Sequence, residues 1–559
     1  MRIFGLSLSP HDSSAALIEN GETLMAIEEE RITRIRHCID YDTHKYNLKS
    51  EAKYFDSNFL NPPIDSLTKK VDRFKKYFAQ KRGYEINQAD TIIGSNLFGT
   101  RVSIDNYINI GHHLAHAAHA FYTSPYKEAA VLVIDGSGDA VENQFEVISL
   151  YSARGNRLYL LERVTGQINH NTNTIIALGN SIGVIYQNAA ALCGFGPFGE
   201  GKLMGLSSYG NPKYVNKFMK FCRKKDTHYE VNNIGLYRHI KRIIEDSNSQ
   251  QNIADVASSV QEVINKLVLF YTQRLKKITG QKNLCYAGGV ALNAIANTKI
   301  LQESGFKRIY IPSAPGDNGV SVGAALYGYF QIANNKRVIT PNIPSAYFGY
   351  EYDEKEILYA IHKYKKHLNA KKLNNSDIIK ITATLLSKDK IVAWFQGASE
   401  FGPRALGHRS IFASPRDVSM RDRLNKIKGR EFFRPVAPII TDGDLGNYFV
   451  CPRREAIADS LPYMLFVAQP INKKISTMIP AVVHIDNTSR LQTISKNQNP
   501  MVYNLIKDYT KITKVPVLIN TSFNTKGEPI VETPNEALKT FLTSGIDYLV
   551  LHNYLIQKP

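Results

Sequence analysis

The sequence predicts an α/β protein, and three observations carry the prediction. Apolar runs twice enter a small-residue turn bearing an acid and return as a second strand. Strand and helix patterns alternate through the middle of the chain. The chain then closes on a further strand–helix–strand portion, from "VPVLINTSFN" to "YLVLHNYLI".

In order, "MRIFGLSLSPHDSSAALIENG" followed by "ETLMAIEEE" reads as one β-hairpin, and "AAVLVIDGSGDAVENQFEVISLYS" as another. Two copies predict an internal duplication. Between them "HHLAHAAH" (112 to 119), Ala-rich up to Pro125, reads as a helix. Further on, Val256, Val260, Val263, Ile264 and Leu267 recur at three-to-four spacing, which predicts a long amphipathic helix. It feeds the strand "NLCYAGG"; a second strand, "RIYIPSAPGDNG", precedes the small-residue helix "VSVGAALYGYF". Around 333 to 346, "ANNKRVITPNIPSA" combines polar residues and two prolines without periodicity, so a boundary is expected between domains 1–345 and 346–559. Beyond it come a helical stretch, the strand "KIVAWFQG" and a long polar segment rich in Arg and Pro.

Composition bounds the function. A chain of 559 residues can bury two or three cores. With 43% hydrophobic and 21% charged residues, and no apolar run near the ~20 residues of a membrane span, an ordinary soluble globular protein is expected. The opening turns polar too soon for a signal peptide. Cys38, Cys193, Cys222, Cys285 and Cys451 form no C-x-x-C pair, which argues against a zinc finger or disulfide framework and for a reducing, cytoplasmic setting. A formal charge of +19 suits nucleic acid or small phosphate-bearing substrates. The basic runs "KYKKH" and "CRKK", however, sit in helical-looking surface stretches without interleaved aromatics, so a solvated lysine-rich surface is the plainer reading.

Chemistry concentrates at a few places. His112 and His116 lie one helical turn apart and project from one face, which is metal-ligand spacing for Zn, Fe, Ni or Cu; the alternative is packed core histidines. A carboxylate would complete such a site, and the best candidate is Asp135 at the end of the strand "VLVID", followed by Asp317 in "PGDNG". His113 and His119 read as supporting or simply packed residues. Gly288 and Gly289 follow a strand and open a helix, which suits either phosphate binding or an ordinary turn. Glu200 and Lys202 add an acid and a cation to "GFGPFGEGKLMGLSSYG". His11, beside Asp12, is a general-base candidate because free imidazole titrates near neutrality. In the second half Arg404, Lys428, Arg434 and Arg490 lie beside Gly, Pro or short polar residues; guanidinium forks match phosphate oxygens, so an anion site is expected rather than four unrelated loop salt bridges.

Taken in order, "HDSSAAL", "EEERITR", "HHLAHA", "VIDGSGD", "EGKLMGL", "GGVALN", "PGDNG", "EFGPRALGHRS", "NKIKGREFFRPVAP", "HIDNTSRLQ" and "NTSFN" resemble the NodU/CmcH-type O-carbamoyltransferases over nearly the whole chain. The resemblance implies an actin-like ATPase fold for the first domain, similar to the universal protein that adds threonylcarbamoyl to tRNA, and a YrdC-like second domain. It implies that carbamoyl phosphate and ATP, with Mg2+, give carbamoyl-adenylate, whose carbamoyl group passes to a hydroxyl of a small-molecule acceptor in natural-product biosynthesis. A divalent metal, Fe2+ by resemblance, maps onto His112, His116, Asp135 and Asp317.

The same resemblance implies roles for single residues. Lys428, Arg434 and Arg490 neutralise phosphate in the first step, and His11 takes the acceptor proton in the second. Nucleotide contacts fall to Asp135, Gly136, Gly138, Glu200, Lys202, Gly288, Gly289, Asn293 and Asp317. Substrate contacts fall to Arg404, Ser410, Arg430, Asn520 and Thr521, with Asp12 and Arg36 on the acceptor. Three positions depart from the family pattern: Asp139 where Glu is frequent, Ala in "IYQNAAALCGF" where Thr is usual, and Asn487 in place of Gly. The competing expectations are a tRNA threonylcarbamoyl-adenosine-type enzyme, which the basic charge favours, and a non-catalytic nucleotide- or nucleic-acid-binding protein, which would leave His11 and the arginines without purpose. A hydrogenase-maturation carbamoyltransferase would need zinc-finger cysteines that the sequence lacks.

Overall fold

In the computed structural model, which describes residues 1–9, 11–38, 64–86, 91–96, 106–167, 178–339 and 345–559, the first hairpin founds a five-stranded sheet. Strand β1 (Arg2–Leu8) is buried from Ile3 onward and pairs antiparallel with β2 (Ser14–Glu19), which pairs antiparallel with β3 (Glu22–Glu28). On its other side β1 runs parallel to β4 (Thr91–Asn96), and β4 to β5 (Tyr107–Asn109). The order is therefore β3-β2-β1-β4-β5.

The second hairpin repeats this plan. Strand β6 (Glu128–Ile134) pairs antiparallel with β7 (Gln144–Arg154), which pairs antiparallel with β8 (Arg157–Gly166). On the far side β6 runs parallel to β9 (Asn283–Ala287), and β9 to β10 (Arg308–Tyr310). The order β8-β7-β6-β9-β10 repeats that of the first sheet. This is the duplication the two hairpins predict, and a duplicated sheet of this order is the organisation of the actin-like ATPase fold.

Helix His112–Tyr122 lies on the second sheet, helix Val320–Tyr327 on the first, and the two helices pack on each other as the layer between the sheets. Small residues make that contact close. A Cβ on Gly323 would fall 1.9 Å from the carbonyl oxygen of Ala115. The long helix predicted around Val256–Leu267 spans Gln250–Thr279, with Ser249 as N-cap and Gly280, in the left-handed region, ending it. One element differs from expectation: Cys222–Lys224, inside "CRKK", is a short strand paired antiparallel with Tyr229–Val231, because the intervening polar residues turn the chain back.

The residues group into two compact units, each discontinuous in sequence. The first is Met1–Glu29, His37–Pro344 and Glu455–Asp459; the second is Glu30–Arg36, Ser345–Arg454 and Ser460–Pro559. The second unit is an α/β body around a mixed eight-stranded sheet. In spatial order its strands are Asn369–Lys372, Tyr554–Gln557, Tyr548–Leu551, Val392–Phe395, Arg409–Ala413, Val517–Ser522, Ala437–Thr441 and Gln492–Ile494. Three of these lie in the segment that looks merely polar in sequence. The single tryptophan, Trp394, is fully buried in this sheet. Among the described residues, no helix is long and apolar enough to cross a membrane.

Candidate functional site

The first unit gathers its polar side chains where β1 and β6 end and the two central helices begin. Asp139 accepts the backbone N–H of His112 at 2.6 Å, which anchors the start of helix His112–Tyr122. One turn later His116 faces the same way, and the two Nε2 atoms lie 3.1 Å apart. Asp135 Oδ2 is 3.3 Å from His112 Nε2 and 3.1 Å from His116 Nε2, while Asp317 Oδ1 is 3.6 Å from each. The other oxygen of Asp135 accepts the backbone N–H groups of Gly136 and Gly289 at 2.8 and 3.1 Å, so its carboxylate has one orientation. Four donor atoms from His112, His116, Asp135 and Asp317 thus converge, with three of the residues buried and Asp317 half-buried.

The donor set fits a divalent cation. Burial works against charge on both imidazoles, yet the hydrogen bonds to Asp135 and Asp317 raise His112 well above its ordinary value and raise His116 too. Burial and mutual repulsion oppose ionisation of Asp135, as burial does for Asp317, but the two histidines hold both carboxyls below the usual range. One divalent ion balances the two carboxylate charges, and two imidazoles with two carboxylates are a mixed nitrogen–oxygen donor set that such an ion takes.

His113 and His119 do not join the cluster. His113 Nδ1 is 2.8 Å from Ser149 Oγ, and burial holds its ring well below its ordinary value. His119 packs against Gly319, where any Cβ would strike its ring.

His11 follows β1 and lies 4.0 Å from Asp317. Its Nδ1 is 3.1 Å from Asp12 Oδ2, and Asp12 Oδ1 is 2.9 Å from His37 Nδ1, so one carboxylate bridges two imidazoles. Phe198 stacks on His37 at 4.3 Å and meets His11 edge-on at 5.1 Å. Burial lowers the His11 value, but the Asp12 hydrogen bond and the charges of Asp317, Asp12 and Asp135 together lift it to about 9. Sequence reasoning missed His37 and Phe198, which stand in no pattern that would single them out.

The expected nucleotide residues also have structural duties. Gly288 has φ +94°, and a Cβ there would fall 2.2 Å from the carbonyl oxygen of Ile134. A Cβ on Gly138 would meet the His113 ring at 2.8 Å, whereas Gly136 stands in open space. Asn293 caps helix Ala294–Glu303 and bonds Gln261 through its amide at 3.1 Å. Glu200 opens helix Glu200–Ser207 and is held above its ordinary value by burial, and Lys202 lies over the Phe195 ring at 5.9 Å.

In the second unit the predicted basic residues come together. Burial lowers Arg404 to about 10 and Arg430 to about 9, and it lowers Lys428, Arg434 and Arg490 as well. For Arg404, Lys428, Arg430 and Arg490 the charges of other members of the group add to the effect. Arg36, expected on the acceptor, belongs to this unit, and its charge acts on Arg404, Lys428, Arg430 and Arg434. Among the described residues, the buried Nε atoms of Arg404 and Arg490 have no acceptor.

Lys428 is different. Its ammonium donates to Asn524 Oδ1 at 2.7 Å, to Asn524 O at 2.9 Å and to Ser522 Oγ at 3.2 Å, so it braces the end of the "NTSFN" strand. Ser410 Oγ accepts the Gly407 N–H at 3.0 Å, Asn520 donates to Ala405 O at 3.1 Å, and Thr521 is buried beside it. These residues shape the loop that carries Arg404. Glu400, which the sequence reading passed over, shapes it most: one oxygen accepts the N–H groups of Leu406, His408 and Arg409 at 2.7, 2.7 and 3.2 Å. Asn487, the departure from Gly, has φ +59°, a left-handed conformation that Asn tolerates better than most side chains.

Two family models match the chain in order: "Carbamoyltransferase N-terminus" over residues 2–326 and "Carbamoyltransferase C-terminus" over 383–558. An uncharacterized protein of Synechocystis is 32% identical, covering 100% of this chain and 96% of its own length. Nodulation protein NolNO of Sinorhizobium fredii is 31% identical, over 98% of this chain and 79% of its own. A solved activator of the 2-hydroxyisocaproyl-CoA dehydratase of Clostridium difficile superposes with a TM-score of 0.36 at 14% identity, covering 61% of this chain and 100% of its own. With both family models satisfied along one polypeptide, the chain belongs to the carbamoyltransferase family and is a carbamoyl-transferring enzyme.

Proposed function

We propose that the protein is an ATP-dependent O-carbamoyltransferase working in two steps. In the first, at the second unit, carbamoyl phosphate and ATP yield carbamoyl-adenylate. Atom balance requires water to enter and both phosphate and pyrophosphate to leave. Arg36, Arg404, Arg430, Arg434 and Arg490 supply the positive field for that polyanionic chemistry, in which positioning and electrostatics do most of the catalysis. Lys428 adds charge while keeping the strand end in place. The observation that carries this reading is the set of like charges itself. Half-buried guanidiniums that repel one another, two with a buried Nε lacking an acceptor among the described residues, are tolerable when an anion compensates them.

In the second step, at the first unit, an acceptor hydroxyl attacks the carbamoyl carbon and the bond to AMP breaks. His11 takes the hydroxyl proton, with its ring held by Asp12. His112, His116, Asp135 and Asp317 would hold the divalent metal. When bound, that ion supplies positive charge for the phosphate of the adenylate. The Asp12 hydrogen bond and the charges of Asp317, Asp12 and Asp135 favour the protonated ring, the form His11 reaches on taking the hydroxyl proton. The acceptor is a hydroxyl-bearing small molecule. The test is incubation with Mg-ATP and carbamoyl phosphate, followed for pyrophosphate. Release that requires both substrates is expected; no carbamoyl-phosphate-dependent release contradicts the reading.

A further inference from the structure

Behind His11 lies a buried cation that neither step above employs. Lys70, on helix Ile64–Arg82, is 2% exposed. Its ammonium donates to Ser9 O at 2.9 Å and to Ser13 Oγ at 3.2 Å, and lies 3.5 Å from the Glu29 carboxylate. Glu29 is itself fully buried and is also paired with Arg73.

Ser9 and Ser13 flank His11 and Asp12 in sequence. The Ser9 hydroxyl donates to Asp317 Oδ2 at 3.3 Å and accepts the His11 backbone N–H at 3.3 Å. Ser13 Oγ donates to Ser9 O at 2.7 Å. One serine therefore touches the buried ammonium through its carbonyl, and both the His11 backbone and the Asp317 carboxylate through its hydroxyl. An ammonium withdrawn from water is costly unless well paired, and Lys70 shares the Glu29 carboxylate with Arg73. What the lysine adds is a fixed position for Ser9 O.

We propose that Lys70 is a positioning residue of the transfer site: it fixes Ser9, and through Ser9 the backbone of His11 and the orientation of Asp317. This rests on the reading that Asp317 is one of the metal-holding residues and that His11 works beside them. Loss of an outer partner of a metal-holding residue lowers metal affinity by about 10- to 100-fold.

The test uses the full-length protein and Mn2+ as probe. Affinity is titrated by electron paramagnetic resonance, and the rate at which diethyl pyrocarbonate modifies His11 is followed by peptide mass spectrometry. Lys70→Met, one contact further from Asp317 than Ser9, is expected to weaken Mn2+ binding severalfold, below the about 10- to 100-fold of a direct partner, and to speed His11 modification severalfold. Lys70→Arg, which keeps donor and charge, restores both. A folded Lys70→Met protein that melts lower but keeps wild-type Mn2+ affinity and His11 reactivity overturns the proposal. Should Lys70→Met not fold, Ser13→Ala decides: smaller shifts in the same directions support the proposal, and unchanged values overturn it. His112→Ala is the control for the underlying reading. If that variant binds Mn2+ like the wild type, the metal assignment fails whatever Lys70 does.

Discussion

Replacing Arg404 by Met is expected to make the ligand-free second unit more stable while removing its response to polyanions. The side chain is half-buried with its Nε buried and without an acceptor among the described residues, and burial followed by the charges of Arg434 and Arg36 lowers its titration from 12.5 to about 10. At 1.36 kcal/mol per unit, the charged form is disfavoured there by about 3 kcal/mol. Methionine retains much of the apolar volume without the charge, so a net gain of about 1–3 kcal/mol is expected after relaxation. Trp394, the only tryptophan, is fully buried in the second unit, so its fluorescence during urea unfolding reports that unit. Pyrophosphate at about 100 times its dissociation constant would stabilise the wild type by about 2.7 kcal/mol, and the variant by far less. A midpoint for Arg404→Met at or below that of the wild type, or an equal response to pyrophosphate, refutes the reasoning.

Three further outcomes are expected. His112→Ala combined with His116→Ala loses bound metal, measured by plasma mass spectrometry, together with carbamoyl transfer; full metal occupancy contradicts the assignment. Gly288→Ala, strained at positive φ and driven into the Ile134 carbonyl, lowers stability by about 2–4 kcal/mol in thermal unfolding, whereas Gly136→Ala, in open space, leaves it nearly unchanged. If the two variants melt alike, the close-approach argument fails. Burial, followed by the His116 charge, holds His119 at about 3, against 6.5 when free. The unfolded chain therefore takes up a proton at this residue that the folded one refuses, and the His119 contribution to stability falls as pH drops below about 6.5, by about 2 kcal/mol between pH 7 and 5. His119→Asn should flatten that part of the pH profile; an unchanged slope contradicts it.

Local patterns were the legible part of this molecule. The two hairpins and the alternating helices stand out because apolar periodicity and turn chemistry act within a few residues, and they lead to the duplicated sheet. His112 and His116 are legible because one helical turn sets their spacing. Asp135 and Asp317 are legible because each stands at a turn after a strand. Contacts made by tertiary packing left no such mark. His37 reaches Asp12 and Phe198 reaches His11 from separate stretches, Lys70 reaches Ser9 from a helix distant in sequence, and Glu400 acts through backbone amides six to nine residues ahead. Residues Glu30–Arg36 group with the second unit although they directly follow β3, which no composition shift announces. For Lys428, sequence chemistry suggested a phosphate ligand; the four acceptor atoms around its ammonium, a bracing role that the sequence does not announce, come from the end of a distant strand.

The measurement that tests the account most directly is mass spectrometry of the products formed from 13C-carbamoyl phosphate and Mg-ATP in the absence of acceptor. The account predicts a 13C-labelled carbamoyl group on AMP, together with pyrophosphate, and loss of both in Arg490→Met. Conversion of ATP to ADP alone, or AMP that never carries the label, would contradict it.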